Sequence, residues 1–111
     1  MAKLECTLHG NFDAVLQALE QAVLGRSVSA TCEDASDMTI GGCRCAVRVY
    51  ERYSVIGSNR VSLNLTLLGD GQRLLLSAIT SGGSQAVFFK INTFGEEAFL
   101  DCIRDAVAAL R

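Results

Sequence analysis

Hydrophobic and polar residues alternate through most of the stretch from Cys43 to Ile91, interrupted only at glycine-containing turns. A period of two marks strands that show one face to a core and the other to solvent. Near the start, Leu4, Cys6 and Leu8 alternate with Lys3, Glu5, Thr7 and His9, which predicts a half-buried strand over 3–9. Gly10 breaks it, and Asn11 can cap a helix beginning at the next residue. Phe12, Val15, Leu16, Leu19, Ala22 and Val23 then recur at helical spacing, so a helix is predicted over 12–24. Gly25 is placed to end it in a left-handed conformation.

Ser27 to Glu33 alternates again, with Val28, Ala30 and Cys32 on one face. Glu33-Asp34-Ala35-Ser36-Asp37 reads as a polar turn, and Met38 to Ile40 resumes pairing before Gly41-Gly42. From Cys43 to Ile56 the odd positions Cys43, Cys45, Val47, Val49, Tyr53 and Val55 are expected in the core, with Glu51 as the exception. The even positions Arg44, Arg48, Tyr50 and Arg52 are expected outside. Such a strand would run about 46 Å, longer than usual, and must curve or bulge.

Gly57-Ser58-Asn59 turns the chain into an inward set of Val61, Leu63, Leu65 and Leu67, and Gly69-Asp70-Gly71 is a hairpin signal. Arg73 to Thr80 is apolar on both sides, through Leu74, Leu76 and Ala78 and through Leu75 and Ile79. After the turn Ser81-Gly82-Gly83-Ser84, a last strand is expected over 85–91, with Phe88 opposite Val87, Phe89 and Ile91. Two apolar faces on adjacent strands call for a cover: a ligand, a partner subunit or the rest of a curled sheet. The final helix begins at a Thr93-Phe94-Gly95-Glu96 capping box or with Gly95 as its cap. Phe99, Cys102, Ile103, Ala106, Val107 and Leu110 form its inner stripe, and Glu96, Glu97, Asp101 and Asp105 its outer one.

The expected class is α+β: a curved antiparallel β-meander with two helices packed on one face, in the order β-α-β-β-β-β-β-α. Two known architectures lie near that order. One is the helix-grip class, and the other is the TATA-binding-protein-like β-α-β4-α unit, one strand shorter. Neither confers a function.

Composition adds limits rather than an identity. The chain of 111 residues is expected to form one domain, with half its residues apolar and a fifth charged. A formal net charge of −2 makes nucleic acid an unlikely partner. The residues after Met1 form no apolar leader and no stretch suits a membrane span, so a cytoplasmic protein without a membrane partner is expected. Five cysteines, an odd number, are then expected as reduced thiols.

No catalytic constellation emerges. Cys43 and Cys45 are spaced too closely for an ordinary zinc site and have no second pair, so small core residues are the simpler reading, with no metal or other cofactor. His9 has no nucleophile or orienting partner that a sequence signature supplies. Arg44, Arg48 and Arg52, with Tyr50 among them, could form a face for an anionic ligand, although a solvated or aggregation-resistant strand face is the simpler reading. Ser81, Gly82, Gly83, Ser84 and Gln85 could gather amides and hydroxyls around a small anion, although these are also ordinary hairpin residues.

The segment from Ser77 to Leu100, SAITSGGSQAVFFKINTFGEEAFL, and the segment from Cys45 to Tyr53, CAVRVYERY, resemble an uncharacterised family of small bacterial proteins, a domain of unknown function. The resemblance implies a bacterial cytosolic source and brings no catalytic residues. A non-enzymatic binding or self-assembly domain is therefore expected, a homodimer through the sheet's second face or an edge strand. The alternative is a helix-grip-type carrier of a small apolar or anionic ligand.

Overall fold

The structure, a computed structural model, describes residues 1–26, 29–54, 59–82 and 89–111, without the side chains of 54, 59 and 89–95. Its elements are β1 (Ala2–His9), α1 (Phe12–Arg26), β2 (Thr31–Ile40), β3 (Cys43–Ser54), β4 (Asn59–Gly69), β5 (Arg73–Gly82) and α2 (Phe89–Leu110). The class is α+β, with one antiparallel sheet in the order β1-β5-β4-β3-β2. Residues 85–88 of the strand expected over 85–91 lie outside the described residues, and 89–91 belong to α2. The described elements thus run β-α-β-β-β-β-α.

Both helices lie on one face. Leu8 of β1, Val61, Leu63, Leu65 and Leu67 of β4, and Leu74, Leu76 and Ala78 of β5 are buried there. Phe12, Val15, Leu16, Leu19 and Val23 of α1 meet them, as do Phe99, Leu100, Ile103 and Val107 of α2. Each fully buried Leu, Ile or Phe contributes about 1.5–3 kcal/mol of transfer free energy, so this layer supplies the main drive to fold. α2 packs over β1, β5 and β4, whereas α1 reaches the rim at β3 through Asp13 and Glu20.

Asn11 caps α1 as its type predicts, its Oδ1 accepting from Ala14 N at 3.0 Å. Gly25 does not end that helix, which continues to Arg26. Glu33 to Asp37, expected as a turn, is part of β2. The tight connection at Gly41-Gly42, with Gly41 at φ 57°, keeps β2 in antiparallel register with β3. β2 is exposed along its whole length, so no layer penalises its acidic residues. The irregularity expected of the long strand occurs on its partner: the register of β2 slips between Cys32 and Asp34. Because strand side chains alternate, the slip puts Cys32 on the helix side and Met38 and Ile40 on the other.

The phase of β3 is the main correction. Arg44 pairs with Gly69, Ala46 with Leu67, Arg48 with Leu65, Tyr50 with Leu63 and Arg52 with Val61, so the even positions face the helices. Tyr50 and Ala46 are buried, while Cys43, Cys45, Val47 and Val49 are half-buried on the uncovered side. Glu51 explains why apolar count misleads here. The expected phase would bury that carboxylate, whereas the observed phase turns inward three arginines, of which Arg44 and Arg48 reach acids at the rim with their heads.

Close packing also decides Gly69, where a Cβ would stand 2.5 Å from Leu74 Cδ2 and 3.0 Å from Phe12 Cδ2. Gly69→Ala is expected to lower stability by about 1–3 kcal/mol through overpacking. Urea unfolding should show a lower midpoint at unchanged slope. An unaltered midpoint would mean that Phe12 and Leu74 yield freely.

Candidate functional site

The three arginines of β3 lead to three different surroundings. Arg44 donates to both carboxylate oxygens of Asp13, at 2.9 and 3.1 Å, and lies over the Phe12 ring at 4.2 Å. This hydrogen bond from Arg44 holds the Asp13 carboxyl below its usual range. Its contribution is present above that range and is lost as pH falls through it. Both partners are largely exposed, so the pair adds little to stability.

Arg48 ties three elements together. Its Nη2 donates to Asp37 of β2 at 3.1 and 3.3 Å, its Nη1 to the Val47 carbonyl at 3.0 Å, and its Nε lies 3.4 Å from Glu20 of α1. Only 12% of the side chain is exposed. Tyr50 completes the cluster by donating to Glu20 Oε2 at 3.2 Å. Burial, followed by the charge of Glu20, pushes the Tyr50 hydroxyl well above its usual value.

Arg52 differs. It is half-buried, stands 4.8 Å from the Phe99 ring centroid, and its Nη1 donates to Cys102 Sγ at 3.8 Å. Among the described residues it has no carboxylate partner. Burial pushes the Cys102 thiol up.

At the other sequence-predicted site, Ser81 and Gly82 complete β5, and Gly83, Ser84 and Gln85 lie outside the described residues. Ser81 Oγ is 3.0 Å from Ser62 Oγ. The Gly82 amide does meet an anion, but an internal one: it donates to Glu96 Oε2 at 2.9 Å. Glu96, expected on the outer side of its helix, is 4% exposed, and its other oxygen lies 3.1 Å from the Met1 ammonium. Those two donors account for a carboxylate in that position.

Among the described residues, no helix lies on the sheet's other face. There the register sets Met38 opposite Cys45, Cys45 opposite Leu68, Leu68 opposite Leu75, and Leu75 opposite Thr7. The result is one mostly apolar row across all five strands, flanked by Ile40 and Cys43. Met38 is 57% exposed, Ile40 84%, Leu68 40% and Leu75 50%. Beside the row, Glu5, Thr7, Thr66, Leu68, Leu75 and Ser77 line an open groove of about 460 Å³. The sequence signals part of this through Leu75 and Ile79, whereas alternation alone places β3's share of the row in the core.

Among the described residues, no three His, Cys, Asp or Glu side chains gather to hold a metal, and no helix is long and apolar enough to cross a membrane. A family model matches residues 1–111, and the chain belongs to that family of unknown function, DUF6054. No curated protein and no solved structure matches it.

The buried hydroxyl offers a direct check on the Arg48 cluster. In a Tyr53→Phe background, Tyr50 should remain un-ionised in the folded protein beyond pH 10, its ordinary value. Ultraviolet titration reads this directly. Because the folded-state value is raised, the stability gained is full below the ordinary value and lost as pH rises through the raised one. Tyr50→Phe should cost about 1 kcal/mol, one hydrogen bond from a buried hydroxyl. Ionisation at pH 10 without unfolding would contradict the arrangement.

Proposed function

We propose that this protein is a non-enzymatic assembly domain that associates with a second copy of itself through the uncovered face of its sheet. One observation carries the reading: β3 turns Cys43, Cys45, Val47 and Val49 away from the helices, into line with exposed Leu68, Leu75 and Met38. Exposed apolar rows of this kind mark interaction surfaces. Five strands of 8 to 12 residues, spaced and rising as strands do, present about 800 Å². That is the area each partner contributes to a standard dimer.

Charge favours a like partner. By register this face carries Lys3, Arg60 and Arg73 against Glu5, Asp34 and Glu51, so two copies meet without net repulsion. Edge pairing through β2 is less favourable, because that strand carries Glu33, Asp34 and Asp37 and no basic residue to set against its own copy.

Light scattering across a dilution series should give twice the 11.9 kDa chain mass, and Leu75→Glu with Leu68→Lys should return it to the monomer. Both side chains are partly exposed, so the variant should keep its fold by circular dichroism. A wild-type monomer at every concentration overturns the reading. So does a dimer that survives both substitutions, which would move the contact to an edge strand.

A second reading rests on Arg52, whose guanidinium has no carboxylate partner among the described residues. It supports capture of a small anion between β3 and α2, with Phe99 and Cys102 as the walls. Inorganic phosphate should then raise the melting temperature of the wild type but not of Arg52→Gln. Equal shifts in both would remove this reading.

A further inference from the structure

We propose that Met38, Cys43 and Cys45 form a binding site for a single Cu(I) ion at the tip of the β2–β3 hairpin. The register sets Met38 directly opposite Cys45, and Cys43 lies two residues away on the same face of β3. Directly opposed residues have Cβ atoms about 4.5–5.5 Å apart, which a flexible methionine spans. Same-face neighbours along a strand are about 6.6 Å apart. Two thiols rotated toward each other close that gap to about 4 Å, within the reach of one ion with metal–sulfur bonds of about 2.3 Å.

Three features support a site rather than a coincidence of sulfurs. The two-residue turn at Gly41-Gly42, with Gly41 at φ 57°, fixes the two strands at this end. All three side chains lie on the uncovered face, where an ion can reach them. Leu68, opposite Cys45 on the other side, gives the site an apolar flank.

Ligand chemistry selects the ion. Two thiolates and a thioether are soft donors, which favour Cu(I), and three suffice for its low coordination number. A structural zinc site would need a fourth ligand. Binding forms two copper–thiolate bonds and one copper–thioether bond, releases a proton from each thiol to solvent, and leaves copper's oxidation state unchanged. All three donors come from one hairpin, so the site is complete in a single copy, although it shares its face with the self-association proposed above and an ion reaches it in the monomer.

The test is anaerobic titration of the reduced, full-length protein with Cu(I) buffered by bicinchoninate. One ion per chain should leave the chelator. Cys43→Ser and Cys45→Ser should each abolish the transfer, and Met38→Leu should weaken it by about tenfold, as for loss of one weak soft ligand. Serine at Cys6, Cys32 or Cys102 should leave it unchanged. Partial exposure of the three ligands makes the variants foldable, and circular dichroism verifies this. No transfer to folded wild type overturns the proposal, as does full transfer to the Cys43→Ser, Cys45→Ser double variant. The titration is run at a concentration where scattering gives the monomer mass, so that a covered face cannot stand in for a missing site, and a monomer that takes up copper sustains this proposal alone.

Discussion

Tyr50 stands opposite Leu63 where β3 pairs with β4, and since strand side chains alternate with a period of two, that registration sets the face of every residue on β3. One phase buries a carboxylate, Glu51, and the other buries an aromatic ring, covers most of Arg48 and leaves Arg52 half-buried and Arg44 at the exposed rim. The second is favoured because the ring fills core volume and its hydroxyl reaches Glu20. The arginines carry charge on long stems that can lean out to acids on neighbouring elements. Arg48 shows the benefit most clearly, joining α1, β2 and β3 through one planar group.

The same phase determines what remains outside. With the arginines turned toward the helices, the valines and cysteines of β3 occupy the open side, where they continue the row begun by Leu68 and Leu75. The slip near Glu33 acts in concert, since it brings Met38 and Ile40 to that side as well. The exposed apolar row and the placing of Met38, Cys43 and Cys45 on one face of the hairpin tip are thus two results of one arrangement. Neither needs a pocket within the core.

Arg44, Arg48 and the Gly82 amide, candidate ligand contacts by sequence, are satisfied inside the chain by Asp13, Glu20 and Glu96 respectively. An internally paired guanidinium offers a ligand little that it would not first have to give up. Arg52 stands apart because its neighbours are a ring and a thiol.

Local pattern determined the antiparallel class, α1 with its Asn11 cap, the hairpin at Gly69 to Gly71, and the inward sets of β1, β4 and β5. In each, propensity, turn chemistry and one-sided hydrophobicity agree. The amphipathic stripe of Phe99, Cys102, Ile103 and Val107 was legible for the same reason. Three features depended on contacts distant in sequence: the phase of β3, the passage of β2 through an acidic stretch, and the burial of Glu96. A strand with apolar residues on one side and arginines on the other has no intrinsic inside. Only partners more than ten residues away, Asp13, Glu20, Asp37 and Leu63 among them, decide which side the helices cover.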